Sequence, residues 1–215
     1  MDPVIGITVN LKENRYQLAL PYVEAVRKAG GLPVLLPSAL GLEQHYVSIC
    51  DGFIFSGGND PKTEEWGTPT HPSAIPVEKE RQVFELAMLR LLLKCPQVPV
   101  LGICLGMQWM GLLAGGTLEQ DLPEPYASAH MDCEHIVRGS FGKGVVHSYH
   151  HQALVDSGSL DVIANSDDGV IEAVQDTKRH WYKGVQWHPE RTVAPHLGQE
   201  IFNQLVQSCK LGTAK

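Results

Sequence analysis

Short continuous apolar runs alternate with stretches of helical spacing through the first half of this chain, and that alternation restricts it to one class of fold. Residues 4–9, 33–37, 52–55 and 98–103 are rich in Val, Ile, Leu and Phe over lengths that suit strands buried on both faces. Residues 10–14 read as polar turn material. From 15 to 29 the apolar positions Leu18, Tyr22, Val23, Val26 and Ala29 recur at helical spacing before Gly30-Gly31 stops the run. A short helical stretch follows over 42–50, and 77–94 carries Val83, Phe84, Leu86, Ala87, Leu91 and Leu92 on one broad face. Strands and helices in this order predict a parallel sheet covered on both sides.

The second half changes character. Between residues 117 and 184, β-like runs at 135–138, 144–148, 162–164 and 170–174 are separated by Gly, Asp and Ser, which predicts antiparallel hairpins added to the parallel core. A last helix is expected over about 194–209, with Leu197, Ile201, Leu205 and Val206 on one side. The expected architecture is α/β: a flavodoxin-like, mostly parallel sheet with helices on both faces and an antiparallel extension. At 215 residues and 43% hydrophobic content, without an internal repeat or linker, one domain over 1–215 is expected.

A net charge of −7 and the lack of any Lys/Arg run argue against a nucleic-acid partner and favour a small neutral or zwitterionic one. Met1-Asp2-Pro3-Val4 has neither the basic start nor the apolar stretch of a secretory signal, and no window reaches the length of a membrane span. A cytoplasmic location without membrane contact is the expectation. The five cysteines are scattered and form no Cys-x-x-Cys pair, which suits reduced thiols.

One of them stands apart. Pro99-Val100-Leu101-Gly102-Ile103-Cys104-Leu105-Gly106 is an apolar strand ending in Gly-x-Cys-x-Gly, and residues 107–114 can continue as a helix. This is the thiol form of the nucleophile elbow, in which a sharp strand-to-helix turn leaves no room for side chains beside the nucleophile. The helix N-terminus beneath Cys104 favours a thiolate. Taken alone, the motif fits an inert cysteine at a tightly packed strand end equally well.

A thiol nucleophile needs a base, and the base needs an orienting group. Gly184-Val185-Gln186-Trp187-His188-Pro189-Glu190 offers both: Pro189 biases His188 toward extended backbone, so His188 and Glu190 are held in a defined relation just past a strand. The tetrahedral intermediate requires an oxyanion site as well. The Leu105 N–H, one residue past the nucleophile, is the first candidate donor, and Gly58 in Ser56-Gly57-Gly58-Asn59 the second.

These pieces in this order resemble the class I (triad) glutamine amidotransferase family, and within it the γ-glutamyl-γ-aminobutyrate hydrolase-like branch, peptidase C26. The resemblance spans nearly the whole chain. It includes Ile5-Gly6-Ile7-Thr8, the stretch from Tyr22 to Pro37, Asp60-Pro61 with Trp66-Gly67, and Gly115-Gly116-Thr117-Leu118, then Ser148-Tyr149-His150-His151-Gln152, Asp168 to Ala173 and Gly184 to Glu190. It implies a hydrolase that cleaves a γ-glutamyl amide bond through a thioester on Cys104, with His188 relaying the proton, Glu190 orienting His188, and Gly58 and Leu105 holding the oxyanion. It further implies that Gln108, Tyr149 and His151 line a γ-glutamyl pocket, that no cofactor is required, and that a synthetase partner or a homo-oligomer is open. Leu105 stands where many members of the branch carry Arg, as in the synthetase-coupled glutaminases, so the leaving amine stays open too.

Ten histidines, among them His130, His135, His147, His150 and His151, raise the question of a metal. They lack a cysteine or carboxylate at ligand spacing, and pocket lining or loop capping is the expectation. Trp109 and Met110 read as helix packing, while Trp66 and Trp187 sit beside candidate site residues and are taken as pocket walls.

Overall fold

The computed structural model describes residues 1–212. In chain order the elements are β1 (Val4–Thr8), β2 (Asn10–Lys12), β3 (Arg15–Gln17), α1 (Leu20–Lys28), β4 (Leu32–Leu36), α2 (Glu43–Ile49), β5 (Gly52–Phe55), α3 (Lys79–Leu92), β6 (Val100–Ile103) and α4 (Leu105–Leu113). There follow β7 (Thr117–Glu119), α5 (Tyr126–His130), β8 (Cys133–Gly139), β9 (Gly142–Ser148), β10 (Ala153–Asp156), β11 (Asp161–Ser166), β12 (Ile171–Gln175), β13 (Tyr182–Val185) and α6 (Gln199–Gly212).

Nine strands make one sheet in the order β4-β1-β5-β6-β13-β12-β11-β8-β9. The half from β4 to β13 is parallel, and from β13 to β9 every pairing is antiparallel. Because successive strand residues face opposite sides, Ile54, Leu101 and Ile103 pack with Val26 of α1 and Phe202 and Leu205 of α6. Their neighbours Phe53, Phe55 and Val100 pack on the other side with Leu89 of α3 and Met107 of α4. Burial on both faces explains why these strands read as unbroken apolar runs. The architecture is the mostly parallel α/β sheet that the sequence predicts, and the hairpins are strands of the same sheet.

Local boundaries differ from expectation in instructive ways. The polar stretch after β1 is a small hairpin, β2 with β3, turned by Glu13 and Asn14 at φ 50° and 58°. That hairpin takes up Arg15 to Gln17, so α1 starts at Leu20, with Pro21 in its first turn where a missing N–H costs nothing. The last helix is split: a 3₁₀ turn over Pro195–Leu197 ends at Gly198, and α6 begins at Gln199. Strands β7 and β10, which pair with each other, and helix α5 are too short to leave a periodic signal. No helix among the described residues is long and apolar enough to cross a membrane.

Candidate active site

The C-terminal ends of β5, β6 and β13 lie side by side, and each delivers part of one site, as open parallel sheets do. Past β6, Cys104 takes φ 51° and ψ −105° and precedes the first turn of α4. A non-glycine residue at positive φ is a strained position that surrounding packing must enforce. The packing is visible: a Cβ on Gly102 would lie 2.6 Å from the Gly106 carbonyl carbon, and one on Gly106 would lie 2.8 Å from the Phe55 Cβ. Both glycines of the motif are therefore required by close approach.

Past β13, His188 Nδ1 and Glu190 Oε1 are 2.7 Å apart, with both side chains buried. His188 and Cys104 approach the same glycine: a Cβ on Gly57 would lie 2.9 Å from His188 Cε1 and 3.5 Å from Cys104 Cβ. Burial alone would lower the His188 pKa, but the Glu190 carboxylate and the contact with Cys104 outweigh it and raise the value to about 10. The ring is thus an imidazolium at neutral pH. Gln186, just past the end of β13 and two residues before His188, points its Nε2 at the Cys104 sulfur at 3.5 Å, and its Oε1 accepts from Gln108 Nε2 at 3.4 Å.

Past β5, the Ser56-Gly57-Gly58 loop is held from behind by Arg81 of α3. This guanidinium is fully buried: Nε donates to Glu85 Oε1 at 2.7 Å, Nη2 to the Ser56 carbonyl at 2.9 Å and the Gly57 carbonyl at 3.2 Å, and Nη1 to Asn10 Oδ1. In a planar trans peptide each N–H points opposite to the preceding carbonyl. Drawing the Ser56 and Gly57 carbonyls onto Arg81 therefore turns the Gly57 and Gly58 N–H groups away from it. The Gly57 N–H is taken by the Tyr22 hydroxyl at 3.1 Å. A Cβ on Gly57 would come within 2.9 Å of His188 Cε1, so this loop passes directly against the imidazole.

Tyr22 is buried beside Glu190, and burial together with that carboxylate pushes its pKa well above the usual phenol value. It stays a phenol that links the glycine loop to the His188–Glu190 pair. Tyr22→Phe leaves the Gly57 N–H without a partner and is expected to lower kcat about tenfold, equivalent to ~1.4 kcal/mol, with a smaller change in KM. Steady-state kinetics on the two proteins check this.

Of these groups Cys104, Gly58 and Gln108 border a cavity of about 120 Å³, while His188 and Glu190 sit outside its lining. Gly58, Asp60, Cys104, Gln108, Tyr149 and His151 all line it, so the structure brings together every non-triad candidate except Leu105, whose side chain is buried in the core and which offers only its backbone N–H. His150 and Gln152 line it as well. At its rim His151 lies between two carboxylates, Nε2 3.0 Å from Asp60 Oδ2 and Nδ1 3.2 Å from Asp121 Oδ1. The hydrogen bond with Asp60 raises its pKa, which favours a cation there.

Two expectations are corrected. Trp187 is fully buried and donates to the Leu197 carbonyl at 2.8 Å, and Trp66 stacks on Trp109 at 5.9 Å, so neither walls the cavity. Four residues of the site were not singled out from sequence. Arg81 and Glu85, four apart on a helix, look like an exposed ion pair; Tyr22 looks like core; and only Gln186, a polar residue directly after an apolar strand, left a usable signal.

Comparison with known proteins identifies the family. The family model described as peptidase C26 matches residues 3–190. The chain belongs to the peptidase C26 family. Relatives of this peptidase C26 member include protein NtpR of Enterococcus hirae, 32% identical over 211 residues, covering 86% of this chain and 87% of that one. The gamma-glutamyl-gamma-aminobutyrate hydrolase PuuD of Escherichia coli K12 is 29% identical over 245 residues, covering 97% and 94%. A solved glutamine amidotransferase from Thermotoga maritima has a TM-score of 0.67 at 14% identity, covering 100% of both chains, a likeness of fold. Membership of peptidase C26 makes this chain an enzyme of the hydrolase and amidotransferase kind.

Proposed function

We propose that the chain hydrolyses the γ-glutamyl amide bond of a small glutamine-like substrate through a thioester on Cys104, releasing glutamate and an amine. The observation that carries this reading is a cysteine at positive φ on a cavity wall, facing a histidine that is itself bonded to a buried glutamate. The Cys104 sulfur attacks the δ-carbonyl carbon, and the electron pair displaced onto oxygen is met by the N–H groups of Leu105 and Gly58. As the tetrahedral adduct collapses, the imidazolium of His188 gives its proton to the leaving amine. Water, deprotonated by the now neutral His188, attacks the thioester carbonyl; glutamate departs and the sulfur leaves as thiolate. Glu190 keeps Nδ1 protonated throughout and stabilises the cation whenever it forms.

The narrow cavity suits a slim side chain, with Gln108 and Tyr149 along it. At its rim, cationic His151 and its carboxylate partner Asp60 suit the α-carboxylate and α-ammonium of a zwitterion. The name of the Escherichia coli relative supports a γ-glutamyl substrate. A second reading, a glutaminase that passes ammonia to a synthetase, is favoured by Leu105 in the position after the nucleophile. Incubating the isolated chain with a panel of γ-glutamyl amines and γ-glutamyl amino acids, and measuring glutamate release, separates the two. Steady turnover of at least one panel member is expected. Glutamine cleavage that stays negligible until a synthetase is added would favour the second reading, and failure of a glutamine-analogue electrophile to label Cys104 would overturn both.

A further inference from the structure

Behind the wall of the cavity formed by Tyr149 and His150 lies a second group of side chains that the proposed chemistry does not use. His130 ends α5, His135 is on β8, His150 follows β9, and Glu172 comes from β12. Their ring nitrogens converge on one oxygen: Glu172 Oε1 is 3.3 Å from His130 Nδ1, 3.1 Å from His135 Nε2 and 3.6 Å from His150 Nε2. Glu172, His130 and His150 are buried, and His135 retains 12% exposure of its side chain. Yet none of these three nitrogens, and neither Glu172 oxygen, makes a hydrogen bond of acceptable geometry among the described residues. Buried polar atoms left in that condition are costly and call for a partner.

The outer hydrogen bonds say what kind of partner. His150 Nδ1 lies 3.0 Å from the Gln152 carbonyl, which can only accept, so the proton is on Nδ1 and a neutral ring presents its Nε2 lone pair to Glu172. His130 Nε2 lies 3.0 Å from Asp168 Oδ2, which places a proton on that nitrogen and leaves Nδ1 as the atom facing Glu172. Lone pairs aimed at a carboxylate oxygen repel it. One added proton would serve only one of the three contacts, and protonating a second ring would crowd cations, since the His130 ring centroid is 4.3 Å from that of His135 and 4.8 Å from that of His150. One divalent cation in the middle turns every one of these contacts into an attraction.

The dimensions agree. Metal–ligand bonds of ~2.0 Å in a tetrahedron place ligand atoms about 3.3 Å apart. The three contacts to Glu172 Oε1, at 3.1, 3.3 and 3.6 Å, match that spacing; the donors of His130, His135 and Glu172 lie within 4.8 Å of one another, and His150 joins them through its contact with Glu172. The two outer contacts, a carboxylate on His130 and a backbone carbonyl on His150, are the kind that orient histidine ligands and fix their tautomer. Three imidazoles with one carboxylate suit zinc or another borderline divalent ion, and a four-ligand set filled by protein leaves no open position for substrate.

We propose that His130, His135, His150 and Glu172 form a structural binding site for a divalent transition metal, zinc being the fitting ion. The metal ties α5, β8 and β12 to the segment that carries Tyr149 and His150, and so braces one wall of the cavity without taking part in the reaction.

The test uses the full-length chain without an affinity tag, stripped with chelator and titrated with Zn²⁺ and with Co²⁺. The expected result is stoichiometric binding, a rise in Tm with added Zn²⁺, and the visible d–d absorption of tetrahedral cobalt without a thiolate charge-transfer band. His135→Ala and His150→Ala should each weaken binding about tenfold or more, while His45→Ala, on an exposed position, leaves it unchanged. If the two cluster variants fail to fold, the wild-type cobalt spectrum decides. Absence of both the Tm rise and the cobalt band overturns the site, as does a thiolate charge-transfer band, which would place the ion at Cys104, or binding that survives in folded His135→Ala and His150→Ala.

Discussion

Cys104→Ser is expected to lower kcat for γ-glutamyl hydrolysis by on the order of 10⁴-fold or more, the scale on which removal of a nucleophile acts in triad enzymes. The reason lies in the pairing. The Cys104 sulfur lies beside His188, with Gln186 Nε2 donating to it. A serine hydroxyl binds its proton far more tightly than a thiol does, so it is the weaker nucleophile at neutral pH. The shorter C–O bond also draws the nucleophile back from the carbonyl carbon. Stability should change little, since the hydroxyl fits the same space and can accept from Gln186. Glutamate release, labelling by a glutamine-analogue electrophile and a melting curve on the two proteins check the prediction together. Hydrolysis within tenfold of the wild type would show that Cys104 is not the nucleophile.

The second large effect is expected at a residue that touches no substrate. Arg81→Met should destabilise the fold by about 3–5 kcal/mol, because it leaves Glu85 buried without its cation. For a chain of this size that corresponds to a Tm lower by roughly 6–20 °C. Trp109 Nε1 still donates to Glu85 Oε2 at 3.0 Å, but one neutral donor does not replace a guanidinium. The carbonyls of Ser56 and Gly57 would lose their donor in the same step, freeing the glycine loop to rotate. Activity should therefore fall even at temperatures where the variant is fully folded. Arg81→Met combined with Glu85→Leu separates the two roles: the double substitution should regain much of the stability, since the buried charge is gone, and should not regain the activity. Thermal and denaturant melts with kinetics on the three proteins provide the comparison.

The sequence by itself determined the features that depend on neighbours along the chain. Strand burial on both faces shows as unbroken apolar runs, the elbow needs small residues on either side of Cys104, and Pro189 constrains His188 and Glu190 locally; each constraint acts over a few residues and leaves a pattern in order and spacing. Even the plan of the sheet followed, because parallel strands require helices between them. What depended on distant segments was not legible. The hairpin of β2 and β3 replaced a plain turn because two residues entered the left-handed region. Arg81 reads as a surface partner of Glu85 until α3 is laid against the end of β5, Tyr22 reads as core until α1 brings it to Glu190, and Gln186 gains its role only beside a sulfur 82 positions away. The histidines carry no ligand spacing since their carboxylate arrives on β12. Packing brings such groups together by burying apolar surface elsewhere, and the polar contacts that result are set by the geometry of the whole sheet, which no short stretch of residues encodes.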